Sequence, residues 1–404
     1  MWSVLRGRTL SFGEDPGERV GPLVDAPVLL LPGLVNAHAH LDLSASPLLA
    51  SNGNFCDWLA AVGQQRQGAV DPAEAARVQA RRMAGRGVTL VADIDGSRGA
   101  GLRGRRAAQL AGRSDQELLG VVAEVSRRRL HDALQRLDRE GAGPQEAGLS
   151  PHAPYSVARD VLPEIARAAR HHGRGLAMHL AESVEETRLL THGDGPFVAF
   201  LEALGMQLPF DATPGLRPIA YAHAAGLLGP DSLVVHGNDL DTDDLQLLHA
   251  QRAPVVCCHG THQHFERPTH PFLKLREAGV TVALGTDSAA SNSAPDLFTE
   301  MCRLVADRPD IAPAEVLRAG TLGGRRALQV EEGPACFEPG SRADGVLLPL
   351  PDELQDAPVD DLLSFAFSGA VQPCASVHAG RTLLPVDGSE SGPPGFLDTL
   401  LAKA

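Results

Sequence analysis

Leu31-Pro32-Gly33-Leu34-Val35-Asn36-Ala37-His38-Ala39-His40 follows an apolar run, Val28–Leu31, with a Pro-Gly turn and then two imidazoles two residues apart. Side chains at i and i+2 of an extended segment point the same way, so both rings can reach one metal ion. Such a pair is weak evidence alone, because histidines two apart recur by chance. Three later segments strengthen it. Gly175-Leu-Ala-Met-His179 is a short apolar run that stops on histidine and continues Leu-Ala-Glu182. Ser232-Leu-Val-Val-His236 does the same, and Thr281-Val-Ala-Leu-Gly-Thr-Asp287 ends on a carboxylate. His38, His40, His179 and Asp287 form a ligand set suited to zinc or another borderline divalent ion. Glu182, three residues past His179, is placed to carry a proton beside metal-bound water, and His236 to give that water a hydrogen bond.

These ends belong to an alternating pattern of strands and helices. Candidate strands are Val28–Leu31, Val88–Ile94, Leu118–Val125, Gly148–His152, Gly175–His179, Ser232–His236, Pro254–Cys258 and Thr281–Asp287. Between them lie helical stretches. Asp71-Pro-Ala-Glu74 is a helix start, with Asp as cap, Pro in the first turn and Glu three residues on. That helix should stop near Gly85 or Gly87. Residues 157–172, 241–252, 271–278 and 313–328 have helical spacing as well. Eight strand-helix units predict a closed (β/α)₈ barrel, the TIM barrel, whose active site gathers at the C-terminal ends of the strands. Every candidate ligand falls there, so their wide separation in sequence is no objection.

In order and spacing, this chain resembles the amidohydrolase superfamily, in its mononuclear deaminase and chlorohydrolase branch. The resemblance is carried by Pro32-Gly-Leu-Val-Asn36-Ala-His38-Ala-His40, His179-Leu-Ala-Glu182, Val235-His236 and Leu284-Gly-Thr-Asp287-Ser-Ala-Ala-Ser-Asn292, and runs from about residue 30 to about 330. Ser150-Pro-His152-Ala-Pro-Tyr155 and Gly195-Pro-Phe197 also look like aminodeoxyfutalosine deaminases. The resemblance implies a barrel over 32–331 and a small β-sandwich built from 1–31 and 332–404. It implies a single metal ion: binuclear relatives bridge two ions with a carboxylated lysine after strand four, whereas this chain has only Lys274 and Lys403 and carries His152 in that region. It also implies hydrolytic deamination of an amino-substituted heterocycle, such as a purine nucleoside, by metal-activated hydroxide. In that chemistry His236 holds the hydroxide, Asp287 accepts its proton and Glu182 protonates the ring nitrogen. Zn²⁺ is the expected ion, with Fe²⁺ or Mn²⁺ as alternatives.

Other side chains are expected at the barrel mouth. His152 would contact substrate. Phe55 and Trp58, in the long loop after strand one, would stack on an aromatic substrate or pack against the barrel. Glu124 should end strand three, with Asp93 and Asp95 ending strand two. His131, His171, His172, His192, His249 and His378 read as solvent-facing or structural. One departure stands out. Many relatives follow strand seven with Cys-Pro-Arg, but here the segment is Cys258-His259-Gly260-Thr261-His262-Gln-His264. The missing Arg removes a planar charged fork. The histidines in its place, His262 among them, would bind substrate, hold a second adventitious metal, or form a plain loop.

Composition excludes some classes. Lys+Arg number 36 against 50 Asp+Glu, a formal net charge of −14. An acidic surface disfavours non-specific nucleic-acid binding and offers no polybasic membrane patch. The six cysteines, at 56, 257, 258, 302, 336 and 374, include no Cys-x-x-Cys and suit a reducing cytoplasm. Arg6 and Arg8 are not followed by an apolar core of leader length, so a cytoplasmic enzyme is expected. Its partner would be a small-molecule substrate, with no nucleic acid or membrane, and a homo-oligomer is compatible with this surface. The remaining alternatives are hydrolysis of an amide, an amidine or a halogenated ring, or a non-catalytic barrel scaffold. The last usually shows loss of metal ligands, and none is lost here.

Overall fold

The computed structural model describes residues 2–5, 8–12, 27–51, 54–65, 70–330, 342–379 and 381–383. Two short strands, β1 (Trp2–Leu5) and β2 (Arg8–Phe12), form an antiparallel hairpin, and β3 spans Val28–Pro32. Eight parallel strands then build the barrel: β4 (Leu34–Ala39), β5 (Val88–Asp95), β6 (Ala111–Leu118), β7 (Leu149–Pro151), β8 (Leu176–Leu180), β9 (Ser232–His236), β10 (Val255–Cys257) and β11 (Val282–Leu284). Each pairs with the next in chain order. At the seam, the amides of Thr286 and Asp287 donate to the His38 carbonyl at 2.9 and 3.1 Å, and Ala39 bridges Asp287 in parallel. Strands β4, β8 and β9 are buried along their whole length, as strands covered on both faces must be. Small and branched side chains such as Val35, Ala92, Ala177, Val235 and Ala283 fill one apolar cluster. A larger one holds Leu102, Ile165, Phe272 and Phe298, from the helices, with strand residues such as Leu34 and Val88.

The expected first strand is corrected. Val28–Leu31 does not enter the barrel. As β3 it pairs antiparallel with β12 (Gly345–Pro349), in a four-stranded sheet completed by β13 (Ala375–His378) and β14 (Arg381–Leu383). Gly33 separates β3 from β4, and a Cβ there would lie 2.5 Å from the Thr89 hydroxyl. The histidine motif is therefore itself the first barrel strand. The small sheet does draw on both sides of the barrel sequence. Ser376 and His378 tie it to the barrel by donating to the Ala84 carbonyl at 2.6 and 3.0 Å, which makes His378 structural, as expected.

The third strand is corrected too. Leu118–Val125 turns after Leu118 and enters the helix Ala123–Arg139, so Glu124 lies exposed in the first turn of a helix. The strand is Ala111–Leu118, disguised by Arg113, Asp115, Gln116 and Glu117. Arg113 and Asp115 are both buried and pair at 2.7 Å, and Arg113 also donates to the Leu176 carbonyl. Removing one member of such a pair strands the other. Arg113→Leu is expected to cost about 3–5 kcal/mol, read as a fall in the urea midpoint.

The helix starts follow their caps. The Asp71 carboxylate accepts from the amide of Ala73 to open Pro72–Gly85, and Asp241 with Asp244 makes a capping box for Thr242–Gln251. Leu162–His171 and Phe272–Glu277 occupy two of the other expected stretches. Residues 313–328 form Pro313–Arg318 and Gly324–Ala327, joined by a π turn at Ala319–Gly323. Phe55 and Trp58 lie on a helix, Phe55–Gln65, rather than in a loop. No described helix is long and apolar enough to cross a membrane. The expected domain boundary at 332 lies outside the described residues.

Candidate metal centre

The strand ends bring the four expected ligands together. His38, on β4, and His40, just beyond it, stand with ring centroids 4.9 Å apart. His179 on β8 lies 5.2 Å from His38 and stacks on His40 at 5.4 Å. Beyond β11, Asp287 Oδ1 is 3.4 Å from His38 Nε2 and 3.7 Å from His40 Nε2. All four side chains are buried.

The tautomers follow from their partners. His40 Nδ1 faces the Ile94 carbonyl at 3.1 Å and His179 Nδ1 faces the His152 carbonyl at 2.9 Å. A carbonyl only accepts, so both Nδ1 atoms carry the proton, and the neutral rings then present lone pairs at both Nε2 atoms. Those two Nε2 atoms face each other at 3.3 Å. Two lone pairs at that distance repel unless a cation lies between them. His38 Nε2, 3.4 Å from Asp287 Oδ1, has no other polar partner among the described residues. Burial, reinforced by the neighbouring histidines, holds the His179 pKa well below its ordinary value, so the ring is neutral, as a ligand must be. Burial pushes Asp287 up, but its bond to His38 and the surrounding imidazoles outweigh this and hold it well below the usual carboxylate range. Neutral nitrogens and an ionised carboxylate converging on one point fit a divalent cation.

The Asp287 carboxylate is aimed by two hydroxyls. Thr261 and Ser291 each donate to Oδ2 at 3.0 Å, which leaves Oδ1 toward the histidines. Asn36 bonds the Thr286 hydroxyl at 2.8 Å and fixes the seam. Backbone strain collects here: Ala181, His236 and Asp287 all have positive φ, at 50, 75 and 56°. A Cβ on Gly285 would lie 2.8 Å from His38 Cβ and 2.9 Å from its carbonyl oxygen. Gly285→Ala is expected to displace His38 and weaken metal binding by about 10–100-fold, measured by competition with a chromophoric chelator.

Glu182 follows β8 and His236 ends β9. His236 Nε2 is 3.7 Å from Glu182 Oε1, and with His38 and Asp287 it can close around one point. Burial raises the Glu182 carboxyl to about 7, with Arg267 pulling the other way. The turn that carries Glu182 is fixed by Glu186, whose carboxylate accepts from the amides of Ala181 and Glu182 at 3.1 and 2.9 Å. Arg267 lies 3.5 Å from the Glu182 carboxylate, donates to its carbonyl, and stacks over Phe265 and Phe55 at 4.6 and 5.0 Å. Glu182, Asn238, Phe265 and Arg267 help line a cavity of about 220 Å³.

The expected substrate contacts separate. His152 is half-buried, with its ring 4.9 Å from that of His179 and its Nδ1 on the Ser156 hydroxyl at 2.8 Å. Trp58 is buried, donates to the Ala290 carbonyl at 3.1 Å and packs on Phe55 and Phe265. It lines neither cavity at the mouth, so its role is to hold up Phe55, which does. His262 is also buried. It braces the cavity-lining Asn238 at 3.2 Å and stays behind it. The altered loop after β10 is held without an arginine at position 260: His259 bonds Asp307 at 2.8 Å, the Gly260 amide donates to Glu300 at 2.7 Å, and Asn292 reaches Glu300 at 2.8 Å. Among the described residues, its histidines join no second cluster of metal-ligating side chains.

Sequence reasoning missed Arg267, Thr261, Glu186 and the fixing role of Ser291. Ser291 and Asn36 lay inside quoted motifs, and Thr261 inside the altered loop. Arg267 had no motif at all.

The Amidohydrolase family model matches residues 29–372. The chain belongs to the amidohydrolase family and is a hydrolase. A 5-methylthioadenosine/S-adenosylhomocysteine deaminase of Halobacterium salinarum is 29% identical over 369 residues, covering 84% of this chain and 77% of the relative. Among solved structures, an aminofutalosine deaminase of Helicobacter pylori in complex with methylthio-coformycin superposes with a TM-score of 0.79 at 20% identity, over 94% of both chains. An adenosine deaminase of Xanthomonas campestris with bound zinc superposes at 0.73 and 21% identity, over 99% of this chain and 91% of that one. These likenesses establish the barrel fold.

Proposed function

We propose that this chain is a mononuclear metal-dependent deaminase of amino-substituted heterocycles of the adenine nucleoside type. The carrying observation is the convergence of the His40 and His179 lone pairs with Asp287 Oδ1, beside a buried Glu182. His38, His40, His179 and Asp287 would hold one divalent ion. The three-nitrogen, one-oxygen donor set favours zinc, with iron(II) or manganese(II) as alternatives. No lysine stands after β7, where Pro151 leads into His152, which favours a single ion. When bound, such an ion lowers the pKa of water toward about 7 and so supplies a nucleophile at neutral pH.

The protein's own groups do the rest. His236 and Asp287 orient the attacking water and take its proton. The water oxygen bonds to the ring carbon that bears the amino group. Glu182, with a carboxyl poised near neutrality, gives a proton to the adjacent ring nitrogen. The proton taken from the water then passes to the amino group, the carbon–nitrogen bond breaks and ammonia leaves, and the hydroxyl proton returns to Glu182 as the ring keeps the oxygen as a carbonyl. His152, its ring 4.9 Å from that of His179, would meet the sugar or the ring edge. The described cysteines are free, which supports a cytoplasmic setting.

The test is product analysis of the zinc-loaded protein with adenosine, 5′-methylthioadenosine, guanine, cytosine and triazines. Ammonia release with a gain of one mass unit on an adenine nucleoside is expected. Turnover only of an amide or a halogenated ring would overturn the proposal.

A further inference from the structure

The chain that follows β10 sends three side chains into the turns beyond β8 and β9. Arg267 donates to the Glu182 carbonyl. His262 Nδ1 donates to the Asn238 side-chain oxygen at 3.2 Å, and the Asn238 amide donates to the same Glu182 carbonyl at 3.0 Å. His270 Nε2 donates to the His236 carbonyl at 2.9 Å. The first two serve the turn that carries Glu182. The third acts on His236, and the reaction described above gives it no part.

The backbone at His236 needs such a hold. Its φ is 75°, and that of Gly237 is 59°. Glycine enters this region freely and histidine does not, so His236 keeps a strained conformation that its surroundings must impose. Relaxation to a negative φ would swing its ring, which stands 5.7 Å from that of His38 between centroids. The peptide joining His236 to Gly237 is pinned at both ends. Its N–H donates to the Leu180 carbonyl at 3.0 Å, and its C=O accepts from His270. His270 is itself fixed. It is buried, its carbonyl accepts from Arg308 at 3.2 Å, and its ring meets that of His262 edge to face at 5.8 Å. A carbonyl only accepts, so His270 Nε2 carries a proton. Burial pushes the pKa of the ring down to about 3, which keeps it neutral. Its Nδ1 has no hydrogen-bond partner among the described residues. An apolar side chain would fill this space without burying an unpaired nitrogen, so what histidine adds here is the N–H.

We propose that His270 is a positioning residue for His236, locking the 236–237 peptide so that the imidazole stays on the attacking water. The inference rests on the part that the deaminase reading gives to His236.

Two variants that differ in reach test it. In His270→Gln the side-chain N–H lies near the place of Nε2, whereas in His270→Asn it stops near that of Nδ1, short of the carbonyl. With the zinc-loaded proteins and an adenine nucleoside, the Asn variant is expected to lose about 10–100-fold in kcat with KM little changed, and the Gln variant to recover most of that. Zinc content should stay at one equivalent in both, because His236 lies outside the proposed ligand set. In a His236→Gln background, His270→Asn should cost less than about twofold, since a residue that acts through His236 has nothing left to position. Crystal structures should show His236 displaced from its positive φ in the Asn variant and held there in the Gln variant. Arg308→Gln, which frees the His270 carbonyl, should give the same displacement in weaker form, and it decides the matter if the Asn variant does not fold. Equal losses in the Asn and Gln variants, full additivity with His236→Gln, or an unmoved His236 would overturn the proposal. If the wild-type protein deaminates no adenine compound, the deaminase reading falls, and the crystal structures still decide whether His270 positions His236.

Discussion

His179→Ala is expected to release the metal and abolish turnover. In the proposed site the ring would supply one of four ligand atoms, from a buried strand end, and its Nδ1 is anchored on the His152 carbonyl. Loss of a partner that merely orients a ligand lowers metal affinity by about 10–100-fold, and loss of the ligand itself should exceed that. Without the ion, the pKa of water returns from about 7 toward its bulk value, so activity should fall by about 10⁴-fold or more. The checks are zinc content by plasma mass spectrometry after gel filtration and initial rates with and without added zinc. A stable fold is expected, since the ring faces the other ligands rather than the apolar layer. A variant that retained one equivalent of zinc and wild-type turnover would remove His179 from the site.

Glu182→Gln should separate proton transfer from metal binding. The amide keeps the shape of the side chain and its place beside His236 and Arg267, but has no acidic proton to give. kcat is expected to drop by about 10²–10⁴-fold, with zinc content unchanged and KM little affected. Burial has already raised this carboxyl to about 7, the range in which a group can hold and then release a proton at neutral pH. Full turnover in the variant would mean that another group, with His236 the nearest, moves the proton. Loss of zinc together with activity would mean that Glu182 acts on the metal instead.

The fold was legible because the strands that matter are short apolar runs ending on chemistry. β8, β9 and β11 announce themselves in this way, and the four candidate side chains, His38, His40, His179 and Asp287, meet as their positions at strand ends require. The two strand errors share one physical cause. A strand is recognised by its apolar pattern, and β6 carries a buried arginine–aspartate pair that breaks the pattern. The more apolar stretch beyond it imitates a strand, although it turns into a helix. Val28–Leu31 is as apolar as a barrel strand, yet it pairs with β12, more than three hundred residues later, a partner that no local pattern names.

The site divides along the same line. Ligand identity is local and readable, whereas support for the ligands is not. Thr261 reaches Asp287 across 26 positions, and Arg267 reaches Glu182 across 85. Trp58 and His262 were read as substrate contacts because they carry the right side chains near the right strands. Burial turns both into braces for the residues that do face the cavities, Phe55 and Asn238.

X-ray absorption at the zinc edge, on protein holding one equivalent of the ion, tests the central claim most directly. A shell with three imidazole nitrogens near 2.0–2.1 Å, a carboxylate oxygen near 2.0–2.2 Å and a further oxygen from water is the result this arrangement of His38, His40, His179 and Asp287 requires. A shell of oxygens alone, or a spectrum unchanged in the His179→Ala protein, would contradict it.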